Sequence, residues 1–303
     1  MALKTGRFYQ CADVKVDDAK CTKCGLCVKV CKGAPLYMED DQIKIDQSRI
    51  FGCIACGQCM AVCPNQAIAI TGRDMTPSDV LEMPPKEDRA SFGSLKSLMF
   101  SRRSIRNFKD QRIGREIIDQ ILEAAASAPN GLGATDVEVL VLDGKEKVRE
   151  LVDDLVKFVK IAKKIFSPIV LKFARPFIGK AQYDSFSTFF AGALDIFLKK
   201  YEQGEDWMLY SAPLAMYFHG SPLGDPADPY IAATYAMLAA ESLGLGSCMI
   251  GTTAYFLNYN DKKIKKKYGI PVQNKNGLMV LFGYPEIKFS YALKRRFAKV
   301  NFY

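Results

Sequence analysis

Eight of the ten cysteines fall in two runs of one pattern, C-x₂-C-x₂-C-x₃-C: Cys21, Cys24, Cys27 and Cys31, then Cys53, Cys56, Cys59 and Cys63. Thiolates two residues apart gather around one soft metal site within a tight turn. This is the bacterial iron–sulfur run, in which the last cysteine of each run reaches across to the other cluster. The spacing therefore predicts two [4Fe–4S] clusters, one on Cys21, Cys24, Cys27 and Cys63, the other on Cys53, Cys56, Cys59 and Cys31. Structural zinc also accepts four thiolates, but its ligands usually come as two separated pairs rather than three in one run. Disulfides fit worse, because so tight a spacing cannot supply bridge geometry across all eight thiols. A chain with these sites moves electrons one at a time.

A second group of residues could hold an anion. The run FSRRSIRNF, residues 100–108, gathers Arg102, Arg103, Ser104 and Arg106 within five positions. Guanidinium forks match phosphate oxygens in pairs, and a serine adds a further donor. Taken alone, the run also reads as an ordinary basic surface. His219, the single histidine, stands in YFHGSP after an apolar stretch. A general-acid role makes it a weak catalytic candidate, and a capped strand end is the plainer expectation. Cys248 is expected as a small buried apolar group, and the sequence assigns no role to Cys11.

Two kinds of structure must position these residues. A short extended piece follows each cysteine run (QIKID, then AIAIT), so residues 1–74 read as one small, internally repeated domain. Residues 75–93 hold three prolines and no sustained apolar period, which reads as a linker. The rest, 94–303, alternates helices with short apolar strands. Helices are expected over 114–126, with Ile117, Ile118, Ile121, Leu122 and Ala125 on one face, and over 230–243. Strands are expected over 137–142, 214–218 and 278–282. That order predicts an α+β fold with a mixed sheet flanked by helices. A long helical insertion occupies about 145–200. Its stretch LVKFVKIAKKIF sets Lys157, Lys160 and Lys164 along one face and Leu155, Val156, Val159 and Phe166 off it. Such a helix can lie on a membrane, but packing over the core, or over a site as a lid or docking surface, is the expectation.

The 303 residues suffice for two domains and a sizeable core. The formal net charge of +9 overstates the basicity, since each thiolate-bound cluster carries roughly −2 and two leave about +5. Residues 1–80 are balanced, with ten Lys/Arg to nine Asp/Glu, so the excess lies later, densest at 262–267 (KKIKKK) and 294–296 (KRR). No aromatic platform or binding motif accompanies these clusters, so nucleic acid is not expected. A solvated surface, or a dock for an acidic electron carrier, is. The opening residues lack the apolar core of a signal peptide, and the uncharged run 242–260 is rich in small polar residues. Cluster thiolates also call for a reducing compartment. A cytoplasmic protein without membrane contact is expected.

From Cys21 to about residue 70 the chain resembles a two-cluster bacterial ferredoxin, with one departure: Lys32 follows Cys31 where the pattern has proline, as Pro64 does after Cys63. From about residue 94 onward it resembles the nitroreductase family of FMN enzymes. The matching pieces are RRSIRNF, ASAPNG (126–131), APLAMYF (212–218), AAESLGLGSCMIG (239–251), FGYP (282–285) and a terminal basic pair, in the family's order. The resemblance implies that Arg102, Arg103, Ser104 and Arg106 hold the FMN phosphate, ribityl and pyrimidine edge. It implies that the main chain of Gly244, Leu245 and Gly246 passes close to the ring, where absent side chains leave room. Arg296 closes on the phosphate, with Arg295 as the alternative. Pro129 and Asn130 open the stretch that in the family reaches the partner subunit's flavin. Within 131–135, glycine and threonine stand where the family has Asn and Gln. A homodimer with FMN at the interface is implied as well.

Joined, the halves describe an iron–sulfur flavoprotein oxidoreductase. Electrons from a low-potential external donor, such as a ferredoxin, pass through two clusters to FMN and on to a small electrophilic acceptor: a nitro compound, a quinone or an activated alkene. The flavin carries the chemistry, converting single electrons to pairs. One alternative is an electron-transfer module serving another redox protein. Another is an NAD(P)H–FMN reductase that uses the clusters as an electron exit. No Gly-x-Gly-x-x-Gly fingerprint is present, but the resembling family binds nicotinamide without one.

Overall fold

The computed structural model describes residues 8–131, 136–259 and 262–303. The first unit holds β1 (Asp13–Val16), α1 (Leu26–Val30), β2 (Leu36–Glu39), β3 (Gln42–Ile45), α2 (Gln58–Ala61) and β4 (Ile68–Thr71). β1 pairs antiparallel with β4, and β2 with β3. The internal repeat extends to the backbone. Lys23 and Gly25 turn left-handed ahead of α1 (φ 59° and 71°), as Ala55 and Gly57 do ahead of α2 (φ 58° and 72°). Left-handed lysine and alanine are sterically costly, so both turns must be held by what they surround. The core is small: Ala12, Leu36, Met60, Ile68 and Ile70 pack with Cys27, Cys53 and Cys59.

The stretch read as a linker is partly claimed by its neighbours. Met75 and Val80 pack on the small core, and Gly72 bridges to Met75. At the other end, α3 (Phe92–Ser101) begins inside that stretch, where the Ser91 side chain accepts from the Ser94 N–H. A serine N-cap supplies a helix start that the proline count concealed.

The second unit continues with α4 (Arg115–Ala126), β5 (Val137–Asp143), α5 (Lys145–Ile165), α6 (Pro168–Ser185), α7 (Ala191–Glu202), β6 (Leu214–Gly220), α8 (Asp228–Ser242), β7 (Gly246–Ile250), α9 (Gly251–Tyr259), α10 (Lys262–Lys267) and β8 (Asn276–Gly283). The strands form one antiparallel sheet in the order β5-β6-β8-β7. A parallel bridge between Ser104 and Ser247 adds the segment after α3 to its β7 edge. β6 is buried along its whole length, and β8 at all but its first residue. Their side chains therefore feed two cores. Leu214, Met216, Phe218, Leu278, Val280 and Phe282 face α4 and α8, whereas Ala215, Tyr217, Met279 and Leu281 face α5, α7 and α9. Strands covered on both sides read as continuous apolar runs, which is why they stood out in sequence.

α5 packs as expected, laying Leu151, Leu155, Val159 and Ala162 against the sheet. The basic cluster at 262–267 does not behave as a uniformly solvated surface. Lys265 is buried, and its ammonium donates to the main-chain carbonyls of Asn258 (3.2 Å), Val272 (3.2 Å) and Asn274 (2.5 Å). Lys267 pairs with Glu150 and Asp154 of α5. Lys265 turns inward beside Ile264, which α10 carries into the core, while Lys262, Lys263, Lys266 and Lys267 stay exposed. No helix among the described residues is long and apolar enough to cross a membrane.

The two sides of α5 make unequal contributions. Leu155→Ala, at a fully buried position, is expected to lower unfolding free energy by ~2–5 kcal/mol. Ile161→Ala, at a position 58% exposed, should change it by no more than about 0.5 kcal/mol. Urea denaturation of the two variants compares them directly.

Candidate functional site

The eight run cysteines come together in two crossed quartets. Cys21, Cys24, Cys27 and Cys63 line one small cavity with Leu26, Ile43 and Ile68. Cys53 and Cys59 each feel the charge of Cys56 and of Cys31. The fourth cysteine of each run thus serves the other run's group. Burial raises the thiols of Cys27 and Cys53, and pushes that of Cys59 up to about 12. Binding soft metal there must displace protons. Among the described residues, no three His, Cys, Asp or Glu side chains close on a single metal ion. Lys32 is exposed and leaves Cys31 in its quartet.

Neighbouring main chain completes this site. The Ala67 N–H donates to Cys63 Sγ at 3.2 Å. Gln47, which nothing in the sequence distinguished, accepts from the Cys53 N–H at 2.7 Å and donates to the Ala12 carbonyl at 2.9 Å. Cys11 sits behind it, its thiol directed at the carbonyls of Gln47 and Phe51.

The arginine run is positioned by main-chain pairing. Ile105 N–H donates to Ser247 O (3.0 Å), Lys109 N–H to Tyr284 O (2.9 Å) and Glu286 N–H to Asn107 O (3.0 Å). The run is thereby laid along β7 and across the end of β8. A cavity of about 300 Å³ opens beside it, lined by Arg103, Ile105, Gly244, Leu245, Gly246 and Lys288, among others. An adjoining cavity is lined by Ser104, Arg106 and Asn107, and shares Ile105, Ile287 and Phe289 with the first. Arg102 and Arg106 lie close enough to Cys248 to lower its thiol, against a larger rise from burial. Cys248 is buried, as expected.

The two glycines of the LGLG stretch have separate reasons. Gly244 is left-handed (φ 78°), and its N–H donates to Glu241 O while the Leu245 N–H donates to Ala240 O. That pair of bonds is a Schellman cap on α8, so these N–H groups close a helix rather than face the cavity. Gly246 is required by contact, since a Cβ there would stand 2.4 Å from Ile105 Cγ1.

Other expected residues lie elsewhere. Pro129 and Asn130 line a different, mostly apolar cavity with Leu122, Val139, Phe218 and Asp228. The substitutions at 132–135 fall outside the described residues. Arg295 and Arg296 lie on an exposed C-terminal arm, 286–303, outside the lining of the arginine cavity. The arm's cation in that lining is Lys288, three residues past the FGYP piece, where the resemblance pointed further on. His219 is buried on β6, stacked on Tyr217 and 3.0 Å from Asn274 through Nδ1. Burial holds its pKa down at about 4, with Lys265 adding to the shift, so near neutral pH it carries no proton to donate as an acid.

Does this cavity fit a phosphate-bearing flavin? Arg103 Nη2 is buried without a hydrogen-bond partner, and so is Ser247 Oγ. Unspent buried donors are costly, and an anionic ligand would satisfy the guanidinium. A family model described as "Nitroreductase family" matches residues 99–284, which is more than half of the chain. The chain belongs to the nitroreductase family. It is an FMN-dependent oxidoreductase, and a "4Fe-4S dicluster domain" model matches residues 13–75 ahead of it. This member of the nitroreductase family is therefore an iron–sulfur flavoprotein. Solved structures similar to it include a nitroreductase with bound FMN from Desulfitobacterium hafniense DCB-2 (21% identity, 69% of this chain and 97% of that chain, TM-score 0.48). Another is a nitroreductase with bound FMN from Bacteroides fragilis (22% identity, 68% and 94%, TM-score 0.46). A BluB-like flavoprotein from Clostridium difficile 630 is 18% identical over 67% and 94%, with a TM-score of 0.47. No curated protein matches the chain.

Two tests address the site. Gly246→Ala should cost ~1–3 kcal/mol through overpacking on Ile105 and yield protein depleted in flavin. Flavin absorbance per chain reads the depletion, and wild-type flavin content would refute the steric role. His219→Gln should remove a pH dependence. With a folded pKa of about 4 and an ordinary value near 6.5, stability from this group is complete above about pH 6.5. It is lost as pH falls toward about pH 4, by up to roughly 3 kcal/mol. Urea midpoints at about pH 7.5 and pH 5 should therefore differ more in wild type than in the variant.

Proposed function

We propose that this nitroreductase couples single-electron donors to the two-electron reduction of a small electrophilic acceptor, a nitro compound, quinone or activated alkene. One observation carries the reading: two crossed thiol quartets and an arginine–glycine cavity stand on the same chain. When bound, two [4Fe–4S] clusters supply single electrons and FMN supplies the pair. Cys21, Cys24, Cys27 and Cys63 hold one cluster; Cys53, Cys56, Cys59 and Cys31 hold the other. The Ala67 N–H steadies the sulfur of Cys63.

In the second unit, Arg103 and Lys288 bring positive charge to the flavin phosphate, while Ser104 and Arg106 serve the adjoining cavity. Ile105, seated against Gly246, fixes the spacing between the arginines and the sheet edge. Flavin contacts by Pro129 and Asn130 come from the partner subunit in a homodimer. Two features favour that assembly: the pair lines a cavity distinct from the one bearing Arg103, and the arm at 286–303 leaves Tyr291, Leu293, Phe297 and Phe302 exposed. Arg295 and Arg296 lie on the same arm and reach the phosphate of the partner's site. A low-potential ferredoxin is the donor, and the chain acts in the cytoplasm.

An anaerobic reductive titration tests the wiring, with flavin absorbance and cluster EPR followed together. NADH, NADPH and a reduced low-potential ferredoxin are added separately to wild type and to Cys56→Ser. Reduction by ferredoxin alone, with clusters filling first and flavin reduction slowed at least about tenfold in Cys56→Ser, is expected. Direct bleaching of flavin by NAD(P)H at equal rates in both proteins would reverse the direction of flow.

A further inference from the structure

The helices between β5 and β6 have two apolar faces, and the fold uses one. Opposite the side of α5 that packs on the sheet, Ile161 and Ile165 are exposed. α6 follows a break at Ser167, whose backbone is extended, and Leu171 is its one buried residue. Ile169, Phe173 and Phe177 stand four apart, hence on one face, and are open to solvent, Phe173 at 76% and Phe177 at 89%. Exposed aromatic and branched side chains in such a series mark a contact surface.

Charge selects the contact. Between residues 155 and 183 the chain has seven Lys/Arg (157, 160, 163, 164, 172, 175 and 180) and no Asp or Glu. All seven are exposed. Lys157 and Lys163 pair with Asp154 and Asp195, which leaves five to act outward. A second copy docked by this face across a two-fold axis would set cations against cations. An acidic protein would answer the charge but offers no general seat for large apolar groups interleaved with it. An anionic bilayer answers both, because apolar side chains enter the acyl boundary while lysines and arginines remain at the headgroup phosphates. No helix among the described residues can span a membrane, so the contact lies in the plane of the interface.

We propose that α6, with the outer face of α5, docks this protein on an anionic lipid surface through Ile165, Ile169, Phe173 and Phe177 and the cations between them. The proposal stands independently of the donor and the acceptor.

Co-sedimentation of the full-length holoprotein with extruded vesicles tests it. Binding is expected to vesicles containing phosphatidylglycerol and not to phosphatidylcholine alone, and to fall at least about tenfold in about 0.5 M salt. Phe173→Ser combined with Phe177→Ser should weaken binding at least about tenfold. Lys164→Glu combined with Lys172→Glu should do the same. Flavin content and solution mass, measured for each variant, are expected to stay at wild-type values. Protein left in the supernatant with phosphatidylglycerol vesicles at low salt overturns the proposal. So does binding that ignores the phenylalanine pair, which would be mere basic adhesion. A change of solution mass in the phenylalanine variant also overturns it, because the face would then be a contact between chains.

Discussion

Three main-chain hydrogen bonds hold the arginine run to the sheet, and the cavity beside it, the site we propose for the flavin, depends on them. Between the donors Ile105, Lys109 and Glu286 and their acceptors, the run is stretched along β7 with little freedom to shift. Ile105 then points inward against Gly246, and the flanking residues Ser104 and Arg106 are turned the other way, exposed. Extended backbone alternates its side chains, so one seated isoleucine determines where its charged neighbours project. The same bonds bring in the segment bearing Lys288, because Glu286 is one of the donors. Arg103, with one buried nitrogen unspent, is what that seating leaves for a ligand to satisfy.

The first unit works under a different constraint. Its apolar core is small for holding left-handed lysine and alanine in two tight turns, and three of the run cysteines, Cys27, Cys53 and Cys59, are buried within it. Metal binding in such a site supplies folding free energy as well as chemistry. An uncharged neighbour such as Gln47 then ties the second quartet to the Ala12 carbonyl beside β1.

Burial also redefines residues that looked reactive or solvated. His219 and Lys265 both stand in one interior network with Tyr217, Asn258 and Asn274. There, low polarity disfavours charge on either group, and hydrogen bonds to carbonyls and amides take over the work that water does outside. Tyr217 donates to Asn258, which donates in turn to Gly277 O. The network fastens the α9–α10 region to β8, on the side of the sheet where α5 also lies.

The cysteine spacing, the twin turns and the apolar strands were legible from residue order alone, because each depends on neighbours within a few positions. The crossed grouping of the thiols was readable from C-x₂-C-x₂-C-x₃-C without any fold, and a sheet covered on both faces from the apolar runs of β6 and β8. The arginine run read as a candidate anion site, and the helix of 230–243 as ending before Gly244. Only the tertiary structure decided which cation of the C-terminal arm lines the cavity, why Gly246 has no side chain, and that His219 is uncharged. Each of these rests on residues far apart in sequence: Ile105 against Gly246, Lys288 and Arg103 on one cavity, His219 with Asn274. Local pattern does not encode such pairs, because they arise from how separate strands and loops meet rather than from what each prefers.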